Sequence, residues 1–361
     1  MLLNSPTTRG HKAVSNWILI GVIMLLVQVV LGGVTRLTGS GLSITEWNVV
    51  TGALPPLTDQ RWEEEFAKYR QTSQFQVLNA DFTIQDFKFI FFWEWFHRFW
   101  ARMIGVVFVV GFVYLMVKGY LKAEMVKPLL ILFLLGALQG VIGWIMVASG
   151  LTGDAIYVKP TRLALHFIFA LGLIAYAFWF ALQLCVPASQ RVKAPVIQKW
   201  TGWLIAIAVV QLIFGALMAG HKAATAAPTW PDINGSYIPL GLWKGEEGLL
   251  NLIDNKITIH FIHRGLAYLI LVLIIIYTVK IFRFPANTRA YKQGGKMPLL
   301  LVIIQVILGI LSLLTSNQIV PNRWGTFEWM AQLHQVTGML FLLSLVAMLY
   351  LTRKPSNSQL S

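Results

Sequence analysis

At 361 residues, 57% hydrophobic and only 12% charged, with a mean hydropathy of +0.66, the chain is far too apolar for a soluble domain, where about a quarter of residues carry charge. The formal net charge of +14 would suggest nucleic acid in a soluble protein, but in a polytopic membrane protein it reads as topology, so no nucleic-acid partner is expected. The single cysteine, Cys185, excludes an intrachain disulfide and is expected as a buried, inert thiol.

Apolar runs of bilayer-spanning length, roughly 17–25 residues, occur at about 14–35, 87–117, 128–148, 161–186, 198–220, 257–283, 297–316 and 328–352. The fold class is therefore all-α with eight transmembrane helices. With the N-terminus inside, the inner segments hold Arg9, Lys12, Lys118, Lys122, Lys127, Arg191, Lys193, Lys199, Lys280, Arg283, Arg289, Lys292, Lys296, Arg353 and Lys354 against Glu124 alone. That bias puts both termini in the cytoplasm. Met1 to Lys12 is short and lacks an extended Arg/Ser-rich import presequence, so a bacterial cytoplasmic membrane is expected.

Two outer loops are long. Residues 36–86 carry Gly39-Ser40-Gly41, Pro55-Pro56 and an amphipathic piece from Thr58 to Arg70, expected as a short surface helix; Thr83 followed by Asp86 predicts a capping box opening the second span. His221 to Asn255 carries Pro228, Trp230-Pro231, Asn234-Gly235 and Pro239. Loops of this length suit structured lids over a site.

The chain repeats internally. Odd-numbered spans carry Gln-x-x-x-Gly: Gln28/Gly32, Gln139/Gly143, Gln211/Gly215 and Gln305/Gly309. Even-numbered spans each carry a histidine towards the outer end: His97, His166, His263 and His334. His97-Arg98 with Ala101 matches His263-Arg264 with Ala267, and Leu165-His166 matches Leu333-His334. Four helices separate each match, so residues 1–190 and 191–361 are expected as two pseudo-symmetric four-helix bundles in parallel orientation.

Ionisable groups in a spanning helix cost a few kcal/mol unless paired, metal-bound or facing a cavity, and so mark function. Imidazoles from facing helices can hold one haem iron from both sides. Zinc would want three or four close ligands, often thiolate or carboxylate, which His166 and His334 lack; a proton relay would grade its histidines by depth; and each histidine could simply hydrogen-bond between helices. Four at symmetric positions favour bis-histidine haem. Arg98, Arg102, Arg162 and Arg264 stand at the outer end, where propionates need cations or where arginines snorkel to headgroups. The Gln-x-x-x-Gly repeats read first as small-residue packing with a polar interhelical bond. The aromatics Phe91, Phe92, Trp93, Trp95, Phe96, Phe99 and Trp100 suit porphyrin packing or an interfacial belt.

The halves differ at one position. Glu94 stands three residues before His97, where His260 stands three before His263. Residues three apart share a helix face, so only the first site gains a carboxylate able to move protons. Two equal haems would describe a non-catalytic dihaem b-type electron carrier; one site with an added acid suggests chemistry.

At this point the chain resembles the haem A synthase family. The matching stretches are Thr38 to Trp47 with Gly52 to Pro56, Glu94 to Arg98 with Arg102, Leu165-His166, Ala219-Gly220, Trp230-Pro231 with Asn234-Gly235, His263-Arg264 with Ala267-Tyr268, and Leu333 to Gly338. The resemblance implies oxidation of the C8 methyl of haem O to the formyl of haem A for cytochrome oxidase. It implies that His263 and His334 ligate a resident haem b in the C-terminal half, with Arg264 among its contacts, and that His97 and His166 face the substrate, with Arg98 beside them. Glu94 matches the family's catalytic acid. One branch carries a cysteine pair in the first outer loop, which this chain lacks. Partners implied are haem O synthase, an electron donor and the lipid bilayer, with a homo-oligomer left open.

Overall fold

The computed structural model describes residues 9–47, 51–286, 288–320 and 324–353. Lys354, counted above among the inner basic residues, lies outside them. Twelve α-helices occur in chain order among the described residues: α1 (Arg9–Leu37), α2 (Asp59–Arg70), α3 (Ser73–Leu78), α4 (Ile84–Val117), α5 (Ala123–Ala148), α6 (Pro160–Cys185), α7 (Pro195–Gly220), α8 (Asn251–Asp254), α9 (Lys256–Arg283), α10 (Arg289–Gly294), α11 (Met297–Leu314) and α12 (Thr326–Leu351). Eight helical segments are long and apolar enough to cross a bilayer, α10 and α11 counting together as one. The protein is an all-helical, multi-pass membrane protein.

Local chemistry sets where the helices begin. Thr58 accepts from the Arg61 amide to start α2. Thr83 and Asp86 form the expected capping box: Asp86 Oδ2 accepts from the Thr83 amide at 2.9 Å and Thr83 Oγ1 from the Asp86 amide at 3.3 Å. Asn255 caps α9 through Ile257 N, and Pro160 and Pro195 sit in the first turns of α6 and α7, where a missing N–H costs nothing.

The spans are not equally central. α12 is the most buried, and α4 and α5 the least. α1 packs on α4 and α6, α6 on α7, and α12 on α1, α6, α7 and α11. Two amides tie the halves together across α1 and α12: Gln332 donates to the Val30 carbonyl at 3.2 Å and Gln335 to the Val29 carbonyl at 3.1 Å. Indole N–H groups clamp α1 to α4, Trp17 to Val107 O at 3.1 Å and Trp100 to Met24 O at 2.9 Å. The corresponding seams of the two halves differ: α9 packs directly on α11, whereas α4 and α5 barely touch.

Two sequence expectations need correction. Cys185 is exposed, not buried, because it is the last residue of α6, where the chain leaves the bundle. The aromatic series on α4 stays off the cavity wall described below. Phe91 packs into a cluster with Phe66, Tyr69, Phe82 and Phe87 that seats α2 on α4, while Phe92 stacks on Phe96 and Trp95 on Phe99 along the outside. Rings on successive turns of one helix face find one another more readily than a cavity on the opposite face.

Candidate functional site

A continuous cavity of about 1380 Å³ runs through the protein, and its walls include His97, His166, His260, His263 and His334. Single small-ligand pockets run to about 300–1,000 Å³, so this space exceeds one ordinary ligand. His263 and His334 face each other with ring centroids 6.3 Å apart. Metal–imidazole bonds of about 2 Å on either side of an ion place such centroids about 6 Å apart, so the spacing fits one metal between them. His97 and His166 line the same cavity and lie within electrostatic reach of each other. Among the described residues the candidate ligands come in pairs, with no group of three or more His, Cys, Asp or Glu. A pair suits a macrocycle that brings the other donors itself.

The repeated Gln-x-x-x-Gly turns out to be the histidine's seat. Each glycine lies against the ring of the next spanning helix: a Cβ built at Gly32 would stand 3.3 Å from His97, at Gly143 2.9 Å from His166, at Gly215 3.1 Å from His263 and at Gly309 2.9 Å from His334. The glutamine one turn away supplies the polar bond between helices. Gln28 donates to the His97 carbonyl at 3.2 Å and Gln139 to the His166 carbonyl at 3.0 Å. In α12 the backbone does it: His334 Nδ1 donates to the Gln305 carbonyl at 3.0 Å. A carbonyl only accepts, so Nδ1 carries the proton and Nε2 keeps the lone pair a metal needs. The interhelical bond was legible in the sequence; the fit of glycine to imidazole was not.

Glu94 is buried and fully engaged. Its Oε2 accepts from Ser43 Oγ at 2.7 Å and Ile44 N at 2.9 Å, and its Oε1 from Arg98 Nη2 at 2.6 Å. Arg98 in turn donates to the Ile44 and Glu46 carbonyls. The carboxylate borders the cavity while pinning the glycine-rich first loop across its outer end.

In the C-terminal half an arginine holds the loop with, among the described residues, no carboxylate partner of the Glu94 kind. Arg264 donates to the carbonyls of Asp232 at 2.7 Å, Thr229 at 2.8 Å and Ala227 at 3.1 Å. That loop is shaped by a tight turn at Asn234-Gly235, both at positive φ, as a two-residue hairpin turn requires. Asp232 Oδ1 braces it, accepting from Thr229 Oγ1 at 2.7 Å and Gly235 N at 2.8 Å. These two bonds hold the Asp232 carboxyl below its usual range. Arg162 donates to the Ile145 carbonyl and does not line the cavity, whereas Arg102 does.

Sequence reading passed over Arg36. It lines the cavity, and its Nε is buried without a hydrogen-bond partner. The available signal was its spacing: Gln28, Gly32 and Arg36 follow at intervals of four, so the cation shares the histidine-facing side of α1.

Two imidazole pairs line one cavity in a multi-pass membrane protein with eight helical segments long and apolar enough to span a bilayer. The chain belongs to the cytochrome oxidase assembly protein family COX15-CtaA, whose family model matches residues 15–346. It is 38% identical over 338 residues to the heme A synthase of Flavobacterium psychrophilum, covering 92% of this chain and 96% of that one. It is 38% identical to the heme A synthase of a Bradyrhizobium strain, over 93% and 90% of the two chains. It is 39% identical to that of Brucella anthropi, over 89% and 88%.

Proposed function

We propose that this protein is a haem A synthase, an oxidoreductase of haem biosynthesis that oxidises the C8 methyl of haem O to the formyl of haem A. The observation that carries this reading is one cavity holding two histidine pairs, the first of which has a buried carboxylate, Glu94, three residues before one of its imidazoles where the second has His260. Near-full-length likeness to heme A synthases supports it. In this reading residues 1–190 bind the substrate between His97 and His166, and residues 191–361 hold a haem b between His263 and His334. That haem b, when bound, supplies electron transfer to and from the substrate half.

The chain's own part is positioning, exclusion of water and proton handling. The glycine seats fix the imidazoles, and with them the orientation of the substrate methyl, so that regioselectivity follows from placement. The outer loops, held by Glu94, Arg98 and Arg264, close the aqueous end. Methyl to alcohol and alcohol to hydrated aldehyde are each two-electron oxidations that break a C–H bond and move protons along with the electrons, and the aldehyde forms by loss of water. Glu94 is the cavity carboxylate that shares a helix with a histidine of the substrate pair, and its Oε atoms receive protons in exchange for their bonds to Ser43 and Arg98. Haem O synthase would supply the substrate from the bilayer of a bacterial cytoplasmic membrane, with both termini on the cytoplasmic side.

The test is Glu94→Ala in cells that make haem O. The expected outcome is a normal low-spin haem b spectrum with formyl production reduced at least a hundredfold, the order of a lost general acid–base group. Undiminished haem A output would reject the proton role. Haem B as the sole pigment of the unmodified protein, even with haem O abundant, would favour a dihaem electron carrier.

A further inference from the structure

His260 is the one buried histidine at the cavity for which the reaction above has no use. It is 1% exposed, lines the cavity, and neither ring nitrogen has a hydrogen-bond partner. Burying an imidazole with both nitrogens unpaired is unfavourable, so a hydrogen-bonding group brought to the cavity by a ligand would find a partner here.

The comparison of the halves indicates which group. In the N-terminal half the position three residues before the histidine is occupied by Glu94, and that side chain is consumed in tethering the first loop through Ser43 and Ile44. In the C-terminal half the second loop is tethered by Arg264 through three carbonyls, with Asn255 and Thr258 holding Gly241 and Leu242, and His260 has no part in it. The equivalent position is thereby released from loop duty and left facing the cavity. Arg264 is also the cation that a propionate would otherwise use, and three of its bonds are already committed. His260 lies one turn of α9, about 4.5 Å, outward of His263, on the side where the chain enters from the outer loop. Three further buried donors on the cavity wall also lack hydrogen-bond partners, Arg36 Nε, Arg264 Nε and Trp324 Nε1. Donors without acceptors call for an anionic acceptor.

Resting on the reading that His263 and His334 hold a porphyrin, we propose that His260 donates a hydrogen bond to a propionate carboxylate of that porphyrin. The imidazole would then set how strongly the propionate charge is felt at the iron, without ligating it.

The experiment uses the full-length protein purified from cells that make no haem O, so that haem b is the only pigment. Resonance Raman spectra of the wild type, His260→Phe and His260→Gln are compared, together with their midpoint potentials. All three are expected to keep low-spin absorption. The propionate bending mode should shift in His260→Phe and return towards wild type in His260→Gln, whose amide can still donate; the potential should fall in His260→Phe, since an unpartnered carboxylate stabilises the ferric state. Should His260→Phe fail to fold, His260→Leu takes its place. A haem-loaded variant without a donor whose propionate mode and potential match wild type overturns the role of His260 alone. Low-spin haem retained in both His263→Ala and His334→Ala would overturn the underlying ligand pairing, a separate and recognisable failure.

Discussion

Glycine is an unlikely place to look for the determinants of a metal site, yet four glycines here decide how closely an imidazole can approach the neighbouring helix. An added Cβ would come within 2.9 Å of a ring carbon at Gly143 and Gly309 and within 3.1 Å of one at Gly215, and within 3.3 Å of the His97 Nε2 at Gly32. Gly309→Ala should therefore push the His334 ring off its bond to the Gln305 carbonyl, at a cost of roughly 1–1.5 kcal/mol, or about tenfold weaker haem retention. Gly143→Ala should act comparably at His166 and Gly32→Ala least. Titration of haem back into stripped protein measures the series, and equal retention across it would show that the seats are slack. What was legible at this scale followed from cost: Glu94, His97, His166, His263 and His334 stand out because a bilayer penalises them. The partner of each glycine was hidden because it sits on another helix. The engagement of Arg98 and Arg264 with loop carbonyls was hidden too, since sequence spacing says nothing about which backbone folds over a guanidinium.

Among the elements, the long helices declared themselves and the short ones did not. Eight apolar runs predicted eight spans within a few residues of their observed bounds, apart from polar extensions such as Arg9 to Ala13 at the head of α1 and Ala123 to Lys127 at the head of α5. The amphipathic piece from Thr58 to Arg70 formed α2 because Phe66 and Tyr69 bury one face against α4. The helices α3, α8 and α10 are four to six residues long, too short for hydrophobic periodicity to register. The second outer loop carries a pH prediction. The Asp232 carboxyl is held below its ordinary value of 3.8 by the Thr229 hydroxyl and the Gly235 amide. Its contribution to loop order is therefore full above that value and is lost as pH falls through the lowered one. Proteolytic nicking between residues 227 and 241 should stay slow at pH 4–5 and accelerate only in stronger acid, and Asp232→Ala should be nicked readily at every pH. A wild-type loop already loosened at pH 5 would contradict the brace.

Across the whole molecule, division of labour between the halves was suggested by one substitution, glutamate for histidine three residues before a histidine. The structure adds a second difference that composition did not carry, because it concerns how helices meet. The α9–α11 seam is packed and the α4–α5 seam is slack, and Gly105, Gly136 and Gly140 border the cavity with nothing within 4 Å of where a Cβ would stand. On the proposed function, the α4–α5 seam is where a guest dissolved in lipid would slide in edgewise, while the packed α9–α11 seam would wall in its neighbour. Disulfides engineered across α4 and α5, in a Cys185→Ser background, should trap or exclude the exchanging pigment and leave the permanent one untouched. Pigment turnover that continues unchanged in the oxidised protein would place the doorway elsewhere. If the doorway is there, the substrate needs no aqueous channel: the membrane would be the corridor, and one loosely latched wall the door.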